Sequence, residues 1–336
     1  MRAFLIKELA HPSKIAVTAD APEPTNLAQD EVLIDVYSAG VNFFDILQTQ
    51  GKYQHQPPLP FISGSEFAGR IARDSPIPKG CKFKAGDRVF GSAQGSYGEK
   101  LKAKLTNILP LPEKLTYDQG AGLFVTWPTS YEALVGRAEL KAGEWCLVTA
   151  AAGGVGIAAV QIAKGLGAKV IAAAGSQAKL DVAKKYGGAD YTVDYTKPNW
   201  HQEVLKITGG KGVDVIYDPV GLIRDSLRCI AWKGRALVIG FAGGEIEKIP
   251  MNLVLLKNIT ILGLHWGAYS IKEPSRIPKV WEDLLNLLAS GRVSPVNYSE
   301  VYPLERITEA LGKLERRETW GKVIVRIRDE QGKAKL

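Results

Sequence analysis

The sequence predicts an α/β fold with a doubly wound parallel sheet, joined to a β-rich part. Three observations predict it. The chain has 336 residues, more than one typical domain holds. Its second half alternates short apolar strands with helices, and a glycine cluster lies where the first of these strands passes into a helix.

The elements follow in order along the chain. Before Phe124, segments such as "EVLIDVYSAGVN" alternate like strands and end at turn residues. Beyond it we expect strands over residues 145–149, 169–174, 189–193, 213–217, 235–239 and 259–264. The intervening helices are expected over residues 155–165, 177–186, 200–207 and 222–230. The sequence ends with two amphipathic helices and the strand pattern "KVIVRI".

The glycine cluster fits A-x-G-x-x-G, a variant of the dinucleotide-binding motif. It predicts a cofactor site at Ala152, Gly153, Gly154, Val155 and Gly156. Gly153 would let the backbone approach a pyrophosphate, and Gly156 would let helix and strand pack closely. A tight turn without a ligand is the alternative.

The next strand ends in "AAAGSQAK", without the acid that binds the ribose 2′-hydroxyl of NAD. Gly175, Ser176 and Lys179 offer a backbone donor, a hydroxyl and a cation instead, which favours the 2′-phosphate of NADPH. The alternative for Lys179 is an ordinary solvent-facing helix lysine.

Composition excludes several classes of protein. The formal net charge is +8, but the basic residues are scattered, so we expect no nucleic-acid partner. No apolar run is long enough to span a bilayer, so no membrane partner is expected. The three cysteines are widely separated, which indicates a reducing compartment, the cytoplasm, and no metal-binding cysteine cluster.

The sequence resembles the zinc-free quinone oxidoreductases, the ζ-crystallin-like branch of the medium-chain dehydrogenase/reductase superfamily. The matching segments are "AGVNFFDILQTQGKY", "LPFISGSEFAGRI" and "AAAGGVGIAAVQIAKGLGAKVI". The resemblance implies a GroES-like β-barrel catalytic domain formed by both chain ends, residues 1–124 and 267–336. It also implies an NADP-binding Rossmann domain over residues 125–266, with cofactor and substrate meeting between the two.

The resemblance also implies site residues. Asn42, Asp45 and Tyr53 match positions near the nicotinamide and the acceptor. The positions that match further cofactor contacts are Thr129, Tyr195, Phe241 and Arg317. For Asn42 and Asp45 the alternative is a turn residue and a helix N-terminal residue. For Tyr53 it is a tyrosine that merely lines a pocket, and for Arg317 a solvated basic face.

No metal is expected, because zinc alcohol dehydrogenases carry a Cys near Asn42 and a His at Ser65, and an amide and a hydroxyl are poor zinc ligands. The resemblance therefore predicts NADPH-dependent hydride transfer to a quinone. An enoyl or alkenal reductase acting on an α,β-unsaturated carbonyl or thioester is an alternative. A structural protein that binds NADPH without turnover is another.

Two further expectations concern partners and location. The apolar segment over residues 253–264 predicts an edge that pairs in a homodimer. The tripeptide Ala334-Lys335-Leu336 resembles a peroxisomal import signal, so in a eukaryote the peroxisomal matrix is the alternative to the cytoplasm.

Overall fold

The computed structural model describes residues 1–329. Its strands are β1 (Leu5–Ile6), β2 (Glu31–Gly40), β3 (Phe61–Ile62), β4 (Glu66–Ile71), β5 (Arg88–Ser92), β6 (Lys100–Lys104), β7 (Ile108–Pro110), β8 (Trp145–Val148), β9 (Lys169–Ala174), β10 (Tyr191–Asp194), β11 (Val213–Asp218), β12 (Ile230–Val238), β13 (Thr260–Gly263), β14 (Asn297–Pro303) and β15 (Lys322–Arg326).

The α-helices are α1 (Phe43–Thr49), α2 (Tyr117–Gly120), α3 (Thr126–Tyr131), α4 (Gly154–Gly165), α5 (Gln177–Lys185), α6 (Trp200–Ile207), α7 (Ile223–Ser226), α8 (Met251–Lys257), α9 (Tyr269–Lys272), α10 (Arg276–Ala289) and α11 (Ile307–Glu315). A π-helix, Glu132–Arg137, follows α3 directly. In the part of the chain that the structure describes, no helix combines the length and apolarity needed to cross a membrane.

The chain divides into two compact units. The first contains residues 1–125 and the chain from Asn297 onwards, and the second contains residues 126–296. The sequence prediction placed the second boundary at 266/267, thirty residues too early by this division. The reason is α10, which belongs to the second unit: Arg276 forms a salt bridge with Glu132, and Tyr131 donates a hydrogen bond to Asp283. An amphipathic helix pattern does not reveal which unit the helix packs on.

The second unit is built on a six-stranded parallel sheet in the order β10-β9-β8-β11-β12-β13. The chain begins in the middle of the sheet at β8, adds β9 and β10 on one side, and then crosses over to add β11, β12 and β13 on the other side. This strand order is that of the Rossmann fold. The predicted doubly wound parallel sheet is therefore confirmed. The predicted helix over residues 222–230 is shorter, because α7 ends at Ser226 and the chain enters β12 at Ile230.

The first unit is built on a mainly antiparallel sheet in the order β14-β15-β2-β4-β5-β7, with β6 also paired to β2. The long strand β2 changes partner along its length: Glu31 to Asp35 pair with β6, whereas Ser38 to Gly40 pair with β15. β15, near the end of the described residues, thus lies beside the carboxyl end of β2. Its neighbours there include the start of α1, where the candidate residues Asn42 and Asp45 lie.

Candidate functional site

The predicted glycine turn lies between β8 and α4, at the carboxyl end of the sheet. Ala150 has a φ of 44°, in the left-handed region, and turns the chain out of the strand. The backbone nitrogen of Ala151 then donates to the carbonyl oxygen of Ala173 in β9, at 3.0 Å. Gly153 is the N-cap of α4. The free N–H groups of this helix start are therefore held at the switch point of the sheet, where α/β proteins bind phosphates.

Glycine has a different role at each of two positions in this turn, Gly156 and Gly153. A Cβ on Gly156 would overlap the carbonyl oxygen of Ala150 and lie 2.9 Å from its carbonyl carbon, so the close approach of helix and turn requires glycine. A Cβ on Gly153 would meet one neighbour among the described residues, the Ala150 oxygen at 3.3 Å, and otherwise open space. Gly156 therefore serves packing, and Gly153 leaves room beside the helix start. Both features fit a bound pyrophosphate.

The end of β9 carries the second part of the predicted cofactor site. The strand ends at Ala174, and Ser176 caps α5, its hydroxyl oxygen accepting from the Lys179 backbone nitrogen at 3.4 Å. That hydroxyl keeps its own proton for donation. Tyr195, just beyond β10, lies beside Gly175: its Cε2 is 3.3 Å from the place of a Cβ there. The structure thus places Tyr195 beside Gly175, and Ser176 at the start of α5 with Lys179 in its first turn. The carboxylate of Asp194, which pairs with Ala174 from the neighbouring strand, accepts hydrogen bonds from Thr196.

The remaining cofactor candidates are spread over both units. Thr129 lies half-buried in α3, and Phe241 follows β12 with 42% of its surface exposed. Arg317 lies in the first unit, exposed and with a φ of 59° after α11. The roles of these three residues stay predictions.

A buried carboxylate that the sequence analysis missed organises the next loop of the second unit. Asp218 ends β11 and accepts the hydroxyl hydrogen of Thr149. It also accepts the backbone N–H groups of Gly221 and Leu222, at 2.9 and 2.7 Å. It thereby fixes the chain after β11 relative to the end of β8. An Asp at a strand end was visible in the sequence, but its loop partners were not.

Two of the three candidate catalytic residues, Asn42 and Asp45, lie at the start of α1 in the first unit. Asn42 is the N-cap of this helix, and Asp45 lies in its first turn. The Asp45 Oδ2 accepts the backbone N–H of Asn42 at 2.8 Å. Asp45 therefore performs the helix-terminal function expected as the alternative to a catalytic role. The Asn42 side chain also forms hydrogen bonds with Glu66 and Lys322, outside the helix.

Asp45 is fully buried and also accepts the hydroxyl hydrogen of Tyr97. Burial raises the pKa of Asp45 to about 7, because the hydrogen bonds from Tyr97 and Asn42 and the charge of Lys322 only partly offset the lost hydration. Burial and the Asp45 charge in turn raise the pKa of Tyr97 well above its ordinary value. Tyr97 was not predicted, because it lies 52 residues from Asp45 and no local pattern joins them.

Tyr53 stacks on Phe44, with ring centroids 5.1 Å apart and planes 22° from parallel. The ring is half-buried, and burial together with the charge of Asp45 raises the pKa of its hydroxyl. The hydroxyl is therefore protonated at neutral pH. The pair forms an aromatic surface next to α1, suited to contact with a flat ring.

The side chain of Asn42 belongs to a buried cluster with Glu66 and Lys322. Its Nδ2 donates to Glu66 Oε1 at 2.9 Å, and its Oδ1 accepts from Lys322 Nζ at 2.7 Å. Lys322 and Glu66 form a salt bridge. Neither Glu66 nor Lys322 was among the predicted site residues, and Lys322 lies 280 residues from Asn42.

No metal centre is formed by the usual ligand types in residues 1–329: no three His, Cys, Asp or Glu side chains cluster suitably there. The predicted import tripeptide Ala334-Lys335-Leu336 lies outside the described residues.

Comparisons with known proteins agree with this architecture. Residues 28–124 match the family model of the alcohol dehydrogenase GroES-like domain, and residues 154–290 match that of the zinc-binding dehydrogenases. The chain is 37% identical to mouse quinone oxidoreductase-like protein 2, over 97% of this chain and 92% of the relative. It is 33% identical to human quinone oxidoreductase, over 92% of both chains. A crystal structure of Escherichia coli quinone oxidoreductase complexed with NADPH superposes with a TM-score of 0.85 at 29% identity, covering 97% of this chain and all of that one.

A GroES-like domain built from both chain ends, with a Rossmann domain between them, defines a medium-chain dehydrogenase/reductase, a class of oxidoreductases. Within this class the chain belongs to the quinone oxidoreductase family. The family and the fold expected from the sequence are both confirmed.

Proposed function

We propose that this protein is an NADPH-dependent oxidoreductase that transfers hydride to a quinone-type acceptor and works without zinc. The observation that carries the proposal is the glycine turn before α4, together with the acid-free end of β9. When bound, NADPH supplies a hydride, which is the two-electron reductant of the reaction. The relative from Escherichia coli is itself a complex with NADPH.

The second unit would hold the negatively charged phosphates of the cofactor through N–H and hydroxyl donors and a cation. The helix start at Gly153 and Gly154 offers N–H donors to the pyrophosphate. Ser176 and Lys179 offer a hydroxyl and a cation to the 2′-phosphate, where an acid would repel it. Tyr195 packs beside Gly175, which supports the expected contact with the adenosine.

The first unit would orient the acceptor. Hydride arrival places negative charge on the acceptor oxygen, and a fixed N–H donor stabilises that charge. The Asn42 amide is such a donor, since it is held at the start of α1 by buried partners. Tyr53 and Phe44 offer an aromatic surface for a quinone ring. Solvent supplies the proton that completes the hydroquinone.

Zinc independence rests on residue chemistry. Asn42 and Ser65 carry an amide and a hydroxyl where zinc enzymes of the superfamily carry thiolate and imidazole. The buried carboxylate of Glu66 is already neutralised by Lys322. Chelators are therefore expected to leave activity unchanged, and elemental analysis is expected to find no stoichiometric zinc. Stoichiometric zinc with activity lost on its removal would contradict this part of the proposal.

The acceptor class is tested with a panel of quinones, alkenals and enoyl thioesters, scored by the loss of NADPH absorbance. We expect turnover with quinones. Turnover confined to α,β-unsaturated carbonyls or thioesters would replace the quinone reductase with an enoyl or alkenal reductase. Cofactor binding without turnover of any acceptor would favour a structural NADPH-binding protein.

We also propose a homodimer formed through α8 and β13. β13 is an edge strand of the parallel sheet, pairing with β12 on one side among the described residues. Leu255 and Leu256 of α8 are 78% and 67% exposed. Contiguous exposed apolar side chains beside an open edge favour a protein partner. Light scattering should give a dimer for wild type and a monomer for Leu256→Asp, with Leu9→Asp in the first unit as the control. A wild-type monomer at every concentration would contradict it.

For location we propose the cytoplasm, based on scattered cysteines of which Cys146 and Cys229 are buried. In a eukaryotic cell the peroxisomal matrix is the alternative. A fluorescent protein fused to the N-terminus should be diffuse in the cytosol, with or without Leu336. Punctate signal that depends on Leu336 would move the enzyme to the peroxisome.

A further inference from the structure

The buried cluster beside α1 contains a full ion pair. Lys322 is 5% exposed and Glu66 is completely buried. Removing two charges from water is costly, and an apolar pair of similar volume often serves stability as well or better. A buried ion pair therefore raises the question of what else it does.

The fold makes room for the lysine at two glycines. A Cβ on Gly40 would overlap the carbonyl oxygen of Ala121, and it would also lie 2.7 Å from Glu66 Oε1 and 2.8 Å from Lys322 Cε. A Cβ on Gly122 would lie 2.8 Å from Lys322 Cγ. Neither glycine has a positive φ, so the missing side chain is needed for space and not for backbone conformation. The lysine stem thus lies close to both glycines, and its ammonium group reaches Asn42.

The charged neighbours of Asn42 determine which end of its side-chain amide is the oxygen and which is the nitrogen. Its Oδ1 faces the ammonium of Lys322, and one Nδ2 hydrogen faces Glu66. The reversed amide would place N–H against ammonium and oxygen against carboxylate, so charge alone fixes the orientation. The second Nδ2 hydrogen has only a long contact, 3.5 Å to the Gly40 carbonyl oxygen. This hydrogen is the one that can be donated to a bound acceptor.

We propose that Lys322 is a positioning residue for the reduction: its ammonium fixes and polarises the Asn42 amide so that the second Nδ2 hydrogen donates to the acceptor oxygen that becomes negatively charged. This inference rests on the proposed function. A cation on the amide oxygen withdraws electron density from the amide nitrogen and strengthens its N–H as a donor. Lys322 transfers no proton and no electron. Its charge is supplied by β15.

The test must separate this role from simple stabilisation of Glu66. Lys322→Met alone leaves a buried carboxylate without a cation, so the variant is made together with Glu66→Gln. Glu66→Gln alone, which retains Lys322 and its electrostatic interaction with Asp45, is the matched control. We expect Lys322→Met/Glu66→Gln to fold and to bind NADPH within about twofold of the control. Its kcat with a quinone should be about 10- to 100-fold lower, the range typical of groups that orient a functional ligand. A kcat equal to that of the control would overturn the proposal.

The same comparison in an Asn42→Ala background shows whether the lysine acts through the amide. There, adding Lys322→Met to Glu66→Gln should change kcat by less than about twofold. A full 10- to 100-fold loss in that background would mean that Lys322 acts independently of Asn42, and would overturn the proposal.

A second variant covers the case in which the double variant does not fold. Gly122→Ala keeps both charges but displaces the lysine stem, and should lower kcat without changing NADPH affinity. Gly165→Ala is its control, because a Cβ there meets no atom closer than 3.8 Å. Equal kcat values for the two alanine variants would contradict the proposal.

A readout without turnover keeps the inference separate from the proposed function. In ¹⁵N-labelled protein, the side-chain amide of Asn42, assigned by its loss in Asn42→Ala, should shift and exchange faster in Lys322→Met/Glu66→Gln than in Glu66→Gln. An unchanged resonance would overturn the positioning role. If wild type reduces no acceptor at all, the proposed function fails, while this spectrum still decides the inference.

Discussion

The glycine turn of the second unit and the buried cluster of the first unit are both built from groups held at a helix start, but they differ in how far apart their residues lie in sequence. The steric contacts of the turn, from Ala150 to Gly156, fall within a few residues, and its hydrogen bond from Ala151 to Ala173 reaches the next strand in the chain. In the cluster, Asn42 is 24 residues from Glu66 and 280 from Lys322.

The difference corresponds to what each region must do. Phosphate binding uses backbone N–H groups and a helix dipole, which a short segment provides by itself. Fixing one amide inside a barrel needs opposite charges on two sides, and these come from separate strands. The turn therefore depends on backbone shape and the cluster on charge balance. Each of the following predictions tests one side of this contrast.

The largest effect is expected when the charge balance is broken. Lys322→Met leaves Glu66 buried and unpaired, which should lower the free energy of unfolding by about 3–5 kcal/mol. Adding Glu66→Gln should recover most of that loss. Urea unfolding of the three proteins measures both changes. Equal stability of wild type and Lys322→Met would show that the cluster does not depend on charge balance.

A smaller loss is expected when the shape of the turn is changed. Gly156→Ala forces a Cβ onto the Ala150 carbonyl group and should cost about 2–3 kcal/mol of unfolding free energy. Gly153→Ala should cost little stability, since its Cβ meets only one oxygen at 3.3 Å, yet it should weaken NADPH binding. Thermal unfolding and cofactor titration of both variants separate packing from binding. Similar losses of unfolding free energy in the two variants would contradict the assignment of Gly156 to packing and Gly153 to cofactor binding.

The side chains beyond β9 are tested by Lys179→Ala. Removal of one charged hydrogen bond to the 2′-phosphate should weaken NADPH binding by about 1.5–3 kcal/mol and leave NADH binding nearly unchanged. Lys185→Ala, at the other end of α5, is the control. Titrations in which Lys179→Ala weakens both cofactors equally would exclude a contact with the phosphate.

The smallest effect concerns the proton affinity of Asp45. Its pKa of about 7 lies above that of an unfolded Asp, near 4, so between these values the folded protein binds more protons than the unfolded chain. Stability from this group therefore falls as pH rises from about 4 to 7. Asp45→Asn keeps an acceptor for Tyr97 but does not titrate. Between pH 5 and 8, wild type should lose at least about 1 kcal/mol more unfolding free energy than Asp45→Asn. Parallel losses in urea titrations would mean that burial does not raise this pKa.

The same contrast explains what the sequence could predict. Apolar runs and turn residues predict β9 and α6 with the observed bounds, because each is determined by neighbouring residues. The glycine motif predicts the turn for the same reason. The assignment of α10 to the second unit depends on Arg276 meeting Glu132, and the cluster at Asn42 depends on Lys322, so both require tertiary contacts. Gly40 and Gly122 were visible, but nothing near them indicated that a lysine stem needs the space.

The central claim, a zinc-independent reductase specific for NADPH, is tested most directly by kcat/KM for NADPH and NADH with one quinone, on protein treated with a chelator and analysed for zinc. We expect activity without zinc and a preference for NADPH of at least about tenfold, equivalent to about 1.4 kcal/mol. Equal values for the two cofactors, or activity that returns only with zinc, would contradict it.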